Sequence, residues 1–212
     1  MRRLAGPLTA LLVTLALAAC GGDDGSDLPA FTGGEGGSTA SASPSATPLP
    51  DPIEAIGATL PAKGTKLGDG KNPITVGRTV PGDGAKEAVQ IAYLAFWVER
   101  ARALRVVRVD DAALDKVATG DAADRVVFSV RELAEKKRHT EGGSTVNVVA
   151  LKVEGGRATV TDCFQDRSTD RDAKGNAVES PDFEPVPITA TLELRGNWRV
   201  NRVVPAKKSA CS

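Results

Sequence analysis

The sequence predicts an α+β fold in which three N-terminal helices pack on a four-stranded antiparallel sheet, behind a signal peptide and a disordered tether. Three observations lead to this fold class. The first 62 residues contain an apolar leader and a long stretch rich in Gly, Ser and Pro. A run of strong helix formers without Gly or Pro follows Gly84. After Gly143 the spacing of apolar residues changes from about 3.6 to two, which is typical of strands.

Residues 1–19 have the form of a secretory signal peptide. They begin with the basic tripeptide MRR and continue with 16 uncharged residues, a run shorter than the ~20 apolar residues that span a bilayer. The run ends in LAAC at 17–20. This order of one large aliphatic residue, two small residues and a cysteine resembles the lipobox of bacterial lipoproteins. The alternative is an ordinary signal peptide that is cut near Ala19.

The lipobox resemblance implies that the thiol of Cys20 receives a diacylglyceryl group and that cleavage leaves Cys20 as the new N-terminus. Acyl chains such as palmitate at this residue would then contact the membrane lipid. Two or more acyl chains anchor a protein stably, whereas one chain binds only marginally. We therefore expect an exported lipoprotein that its N-terminal lipid holds at the outer face of the cytoplasmic membrane.

Residues 20–62 are expected to form the lipidated N-terminus and a flexible tether. Residues 21–62 contain six acidic residues and no lysine or arginine. A chain with so few aliphatic side chains cannot offset the entropy cost of ordering it, and about 42 flexible residues reach roughly 35 Å. Residues 63–83 are expected to form an irregular lead-in, broken by Pro and Gly, with one short strand at 74–76.

The helices of the predicted domain, 84–212, come first in its sequence. The run 85–104 is apolar nearly all round, as expected for a helix buried on more than one side. A short helix is predicted over 110–118, and a third over 122–138 with Asp121 as its N-cap. The core positions predicted on the third helix are Val126, Val127, Val130, Leu133 and Ala134. The arginines at 100, 102, 105 and 108 are expected at a solvated helix end.

Four runs with a spacing of two form the predicted sheet. They are Thr145–Val153, Arg157–Gln165, Val186–Arg195 and Trp198–Val204. Short Gly-containing connections join the first to the second and the third to the fourth, which is a signal for tight hairpins. The clean apolar and polar alternation of the third run requires one solvated face, as antiparallel sheets allow.

This arrangement resembles the nuclear transport factor 2-like (NTF2-like) superfamily. The resemblance rests on the 85–104 helix, the strand VTDCFQD, the hairpin LELRGNWRV and a cysteine near the end of the chain. More narrowly it resembles the secreted and lipoprotein members found in actinobacterial envelopes. Arginine outnumbers lysine and Ala, Val and Gly abound, a composition that resembles proteins of high-GC Gram-positive bacteria. The resemblance implies a curved sheet that forms a cone around a pocket. Its members include isomerases, dehydratases, polyketide cyclases and non-catalytic binding modules, so the fold does not choose a function.

Two cysteines, Cys163 and Cys211, remain beyond the leader and are predicted to form a disulfide, as expected for an even pair in an exported chain. The alternative is a reactive Cys163 thiol with His139 as its base. His139 is the only histidine, and it follows the basic residues at the predicted end of the third helix. A single histidine excludes a multi-histidine metal site, and we expect no metal or cofactor.

Asp162 is the sharpest candidate site residue. A spacing of two puts it on one face with Ala158, Val160 and Phe164. On the concave face it would be a buried carboxylate with a raised pKa, suited to act as a general base or to contact a ligand. Tyr93 and Trp97, one helical turn apart, would line the same pocket. The alternative is that Asp162 bonds backbone amides or an arginine, such as Arg202.

The charge balance and the missing acid–base partner shape the expected function. Residues 63–212 carry 25 basic and 21 acidic residues, which is too even for a nucleic-acid-binding surface. We expect a non-catalytic binding or assembly module of the cell envelope with a protein partner. The alternatives are a binder of a small apolar ligand in the cone pocket and an enzyme of isomerase or dehydratase type that uses Asp162.

Overall fold

The structure is a computed structural model, and it describes residues 51–178 and 184–211. The predicted signal peptide, Cys20 and most of the predicted tether lie outside the described residues. The helices in this part are α1 (Gly84–Val106), α2 (Asp111–Val117) and α3 (Gly120–Glu135). The strands are β1 (Lys66–Leu67), β2 (Ile74–Val76), β3 (His139–Glu141), β4 (Ser144–Val146), β5 (Val148–Glu154), β6 (Arg157–Asp166), β7 (Thr169–Arg171), β8 (Val186–Arg195) and β9 (Asn197–Pro205).

The main sheet is larger than expected and is mixed. Within the described residues it has seven strands in the order β1-β2-β4-β6-β8-β9, with β5 also paired to β6. The pair β2 and β4 is parallel, with Ile74 opposite Ser144 and Val76 opposite Val146. Two strands also precede the helices. The predicted fold class, three N-terminal helices on a four-stranded antiparallel NTF2-like cone, is therefore wrong.

The error has a physical cause in the lengths of the missed strands. The antiparallel pairs β5–β6, β6–β8 and β8–β9 are present, and these are the long strands that show a spacing of two. The missed strands β1, β3 and β7 have two or three residues each, too few for a periodic pattern. The predicted first strand is also interrupted at Asn147, so that β4 and β5 pair with different parts of β6.

Helix α1 is the centre of the core, and its prediction over 85–104 is confirmed. Every residue from Val89 to Trp97 is buried, because the sheet and α3 both contact this helix. The helix ends where Val107 adopts a left-handed conformation with φ of 52°. The prediction of α2 is confirmed as well, and the side chain of Asp110 caps it by accepting a hydrogen bond from the Ala113 N–H at 3.1 Å.

Helix α3 differs from its prediction at both ends. Thr119, not Asp121, occupies the N-cap position, and the helix stops at Glu135 because the chain reverses at Lys137, whose φ is 53°. His139 consequently lies in β3 rather than at a helix end. The predicted core positions Val127 and Ala134 are exposed. The buried stripe is instead Ala122, Val126, Val130 and Leu133.

Residues 51–83 are fastened to α1 and α2 by polar side chains. Gln90, which is buried in α1, accepts a hydrogen bond from the Val80 N–H and donates one to the Val80 carbonyl, both at 2.9 Å. Glu87 accepts from the Leu60 N–H at 2.7 Å, and Lys116 pairs with Asp51 at 2.6 Å. The predicted strand at 74–76 is confirmed as β2. The segment before α1 is therefore part of the folded unit.

Candidate functional site

Asp162 lies on the buried face of β6, among apolar side chains, and has no solvent exposure. Its face-mates Ala158, Val160 and Phe164 are buried as the spacing of two predicts. One carboxylate oxygen accepts a hydrogen bond from the Tyr93 hydroxyl at 2.9 Å. The other accepts from the backbone N–H of Asn147 at 2.7 Å.

The break between β4 and β5 places the Asn147 amide against Asp162. The ladder between β5 and β6 shifts register after Val148, so the Asn147 N–H is turned out of regular strand pairing. The Asn147 side chain fixes the break by donating to the Cys163 carbonyl at 3.0 Å and accepting from the Arg78 N–H at 3.2 Å. A turn-forming asparagine between two apolar runs is the sequence signal for this break, which the predicted strand Thr145–Val153 runs through without interruption.

Burial dominates the electrostatics of this pair. It raises the pKa of Asp162 from 3.8 to about 6, even though the hydrogen bonds from Asn147 and Tyr93 both favour the ionised carboxylate. Burial and the nearby Asp162 charge together raise the pKa of Tyr93 well above its ordinary value. These contacts match the alternative that Asp162 is a structural carboxylate that binds a backbone amide, here the N–H of Asn147. Arg202 is exposed and is not among the partners of Asp162 within the described chain.

Tyr93 and Trp97 reach the same face as Asp162, but they fill it. The Trp97 ring stacks on Phe164 with centroids 4.1 Å apart, and it meets Phe96 and Tyr93 edge-on at 5.3 and 6.0 Å. The principal clefts among residues 51–178 and 184–211 are lined without Asp162 or Tyr93. A void that Trp97 does line measures about 10 Å³, room for about one water. This arrangement packs the core and leaves Asp162 out of reach of a ligand.

The remaining cysteines are joined in the structure. Cys163 in β6 and Cys211 in the C-terminal turn, Lys208–Cys211, form a disulfide with Cα atoms 5.4 Å apart. The bond ties the end of the chain to the sheet, beside a hydrogen bond from the Ala206 N–H to the Pro187 carbonyl at 2.8 Å. A disulfide sulfur is not a nucleophile, and His139 pairs instead with Glu141, at 3.5 Å.

The arginines of α1 do not form one solvated group. Arg102 pairs with Glu99 and Arg105 with Asp69, so both are partly buried ion pairs. Arg100 lies over the face of Trp97, 5.4 Å from its centroid. Within the described chain Arg100 forms no hydrogen bond or ion pair, and it lines a polar cleft between α1, α3 and the β6–β7 connection. A charge pattern alone could not separate this arginine from its neighbours.

Comparison with known proteins finds a weak structural likeness and no match to a family model or a curated protein. No known protein family matches the chain, and no curated protein matches it. The solved structures that resemble it include the intermembrane space region of the chloroplast protein ARC6, at 14% sequence identity and a TM-score of 0.42. That match covers 51% of this chain and 86% of the other, and a likeness of this degree carries no argument here.

The described residues also bear on metal binding and on membrane insertion. No group of three or more His, Cys, Asp or Glu side chains in this part of the chain is arranged to hold a metal ion. Among the same residues, no helix combines the length and the apolar character needed to cross a membrane.

Proposed function

We propose that the chain is an exported lipoprotein, anchored through acylated Cys20, whose folded unit is a non-catalytic binding or assembly module outside the cytoplasmic membrane. The observation that carries the anchor is the sequence LAAC at 17–20, behind a basic start and a short apolar run. An acidic, Gly/Ser/Pro-rich stretch follows the cysteine, and such a stretch would let the module reorient above the lipid surface.

The cysteines of the folded unit support an oxidising location. Disulfides persist outside the cytoplasmic membrane and are rare in the reducing cytosol. Cys163 and Cys211 stand 48 residues apart in the sequence, and the fold brings the C-terminal turn with Cys211 onto Cys163 in β6. This pairing fits a chain that folds after export.

The surroundings of Asp162 support a non-catalytic role. A general base must come within hydrogen-bond reach of the proton that it removes. Tyr93 and Asn147 occupy both oxygens of Asp162, and Trp97 and Phe164 fill the adjacent space. The geometry therefore supports neither an apolar-ligand pocket nor an isomerase-type site at this carboxylate.

The anchor is tested by substitution of Cys20→Ala in the full chain, expressed in a bacterium that processes lipoproteins. We expect the variant to incorporate no labelled palmitate and to leave the detergent phase on phase separation, because the acyl acceptor is gone. The double variant Cys163→Ser/Cys211→Ser is the matched control, since it loses two cysteines but keeps the lipobox. It should incorporate palmitate as the wild type does.

The proposal of lipidation is wrong if the wild type incorporates no palmitate, or if Cys20→Ala incorporates as much label as the wild type. Equal labelling of both chains would place the lipid on another residue. Absence of label from both would leave an ordinary signal peptide.

A further inference from the structure

A polar cleft between α1, α3 and the β6–β7 connection has the features of a ligand site. Its volume is about 230 Å³, which suits a small metabolite rather than a drug-sized molecule. Its floor is buried and includes Leu104, Leu133 and Thr140. Its rim is formed by Glu132 and Lys136, which pair with each other at 3.3 Å and are about half exposed.

The cleft contains an arginine without a carboxylate partner. Arg100 is only partly exposed and, within the described residues, makes neither a hydrogen bond nor an ion pair. The face of Trp97 holds its guanidinium in place, which leaves the N–H groups of the fork for another acceptor. A half-buried charge without hydrogen bonds costs stability. Such a cost is characteristic of residues kept for binding.

Two carboxylates line the same cleft, and each uses only one of its two oxygens in hydrogen bonds within the described residues. In Asp166, Oδ1 accepts from the backbone N–H and hydroxyl of Ser168 and from the Ser144 hydroxyl. In Asp170, Oδ1 accepts from the Thr140 hydroxyl at 3.0 Å. Within the described chain, Oδ2 of each carboxylate accepts no hydrogen bond. These contacts fix the side chains and leave one oxygen of each for a donor from a ligand.

Arg100 and Asp166 line the same cleft. Their charges attract at a distance, since Asp166 opposes the lowering of the Arg100 pKa by burial, but the two do not meet in an ion pair. A ligand with one negative and one positive group could bind the Arg100 guanidinium and the Asp166 carboxylate at the same time. A simple anion would be repelled by two carboxylates, and a simple cation would leave Arg100 unsatisfied.

A second polar group lies at the inner end of the cleft. Arg100, Leu104 and Thr140 also line the small void of about 10 Å³ that reaches Asn72. Asn72 is 4% exposed, and its amide donates to the Thr140 carbonyl at 2.9 Å and to the Ala101 carbonyl at 3.2 Å. Its Oδ1 is buried without a donor in the described residues. Buried acceptors are nearly always satisfied, and the void beside this atom has room for about one water that could donate to it.

We propose that this cleft binds a small zwitterion of the α-amino acid class, with its carboxylate on Arg100 and its ammonium between Asp166 and Asp170. The site is distinct from the buried Asp162 and Tyr93 pair and requires no lipid at Cys20. It would give the module a soluble ligand, and its failure would leave the proposed anchor untouched.

The test is calorimetric titration of the full chain, purified in detergent, with each standard amino acid up to about 10 mM, a range that captures affinities weaker than millimolar. Acetate, methylammonium and inorganic phosphate serve as probes that carry only one sign of charge. We expect at least one amino acid to bind saturably and to bind at least about tenfold tighter than acetate or methylammonium, because each of these engages only half of the site.

Three variants assign the binding to the cleft. Arg100→Met should weaken it about tenfold or more, as expected for loss of charge-assisted hydrogen bonds. Asp170→Asn keeps the acceptor for Thr140 but removes the charge, and it should weaken binding of the amino acid without weakening that of acetate. Arg131→Met is the matched control, since Arg131 also lies 5.4 Å from an aromatic ring, that of Phe128, on the exposed face of α3. It should leave the affinity within about twofold, because surface charges outside a site contribute little.

The proposal is overturned if no amino acid binds, if phosphate or acetate binds as tightly as the best amino acid, or if Arg100→Met binds as the wild type does. If Arg100→Met fails to fold, as judged by its circular dichroism spectrum, the affinities of Arg100→Lys and Asp170→Asn for the amino acid test the proposal instead. Unchanged affinity in both of these variants also overturns the proposal.

Discussion

Replacement of Asp162 by Asn should change the pH dependence of stability in a defined direction. In the wild type, burial raises the pKa of Asp162 in the folded state to about 6, against 3.8 for an ordinary aspartate. The folded state therefore binds this proton more tightly than the unfolded state does. The contribution of Asp162 to stability is fully present below pH 3.8 and is lost as the pH rises through 6.

The size of this loss follows from the shift. One pKa unit corresponds to about 1.4 kcal/mol, so a shift from 3.8 to about 6 corresponds to about 3 kcal/mol. Asparagine has no proton to lose and keeps an oxygen for the Asn147 N–H. The unfolding free energy of Asp162→Asn relative to wild type should therefore rise by about 2.4 kcal/mol between pH 4 and pH 7 and then stay constant, the rest of the change lying below pH 4.

The assay is urea unfolding at half-unit steps from pH 4 to pH 8, followed by the fluorescence of the buried Trp97 and Trp198. The pH-dependent part of the difference is the decisive quantity, because it is independent of any constant effect of the asparagine shape. A difference between variant and wild type that is flat within about 0.5 kcal/mol over this range would refute the argument, since that is close to the error of such differences.

Asp69→Asn is a control of opposite sign when the same assay is extended to pH values below 3.8. Burial alone would raise the pKa of Asp69, but the N–H groups of Asn72 and Lys71 and the guanidinium of Arg105 outweigh it and lower the pKa. Asp69 therefore stabilises the fold above pH 3.8, and this contribution is lost as the pH falls below that value. The variant should be less stable than wild type at neutral pH, and the difference should shrink toward acid pH.

Three further predictions concern packing and cross-linking. Tyr93→Phe removes a donor from Asp162 and should destabilise the protein by about 1–3 kcal/mol at pH 7, measured by urea unfolding; an unchanged midpoint would mean that the hydroxyl is not bonded. Cys163→Ser/Cys211→Ser opens a loop that spans 48 residues in sequence and should lower the unfolding free energy by about 4 kcal/mol in the chain-entropy model. In unfolding with and without reductant, the variant should be as stable as the reduced wild type and less stable than the oxidised wild type. Gln90→Leu leaves both backbone groups of Val80 unpaired and should expose residues 77–83 to limited proteolysis before the rest of the folded unit; simultaneous cleavage elsewhere would argue against this local role.

Local sequence patterns predicted the elements that are long enough to show a period. The α1 run lacks Gly and Pro and is buried throughout its middle, and the alternation in β6 placed Asp162 on the buried face with Phe164. These predictions depend only on spacing along one element. Tyr93 and Trp97 were placed toward the same face by the helical period for the same reason.

The failures depend on contacts between distant segments. The strand β2 was predicted, but its parallel pairing with β4, 70 residues later in the sequence, as in the pairing of Ile74 with Ser144, was not. Gln90 reads as a break in an apolar run until its partner Val80 is known. The end of α3 depends on one left-handed residue, Lys137, a conformation that lysine seldom adopts. None of these features leaves a periodic signal in the sequence.

The most direct test of the central proposal is the intact mass of the wild-type protein extracted from membranes without reductant. The account predicts a chain that has lost residues 1–19, begins at Cys20, carries the mass of two or more acyl chains, and contains no free thiol at Cys163 or Cys211. A chain that keeps its leader, or one cleaved elsewhere with an unmodified thiol at Cys20, would contradict the account.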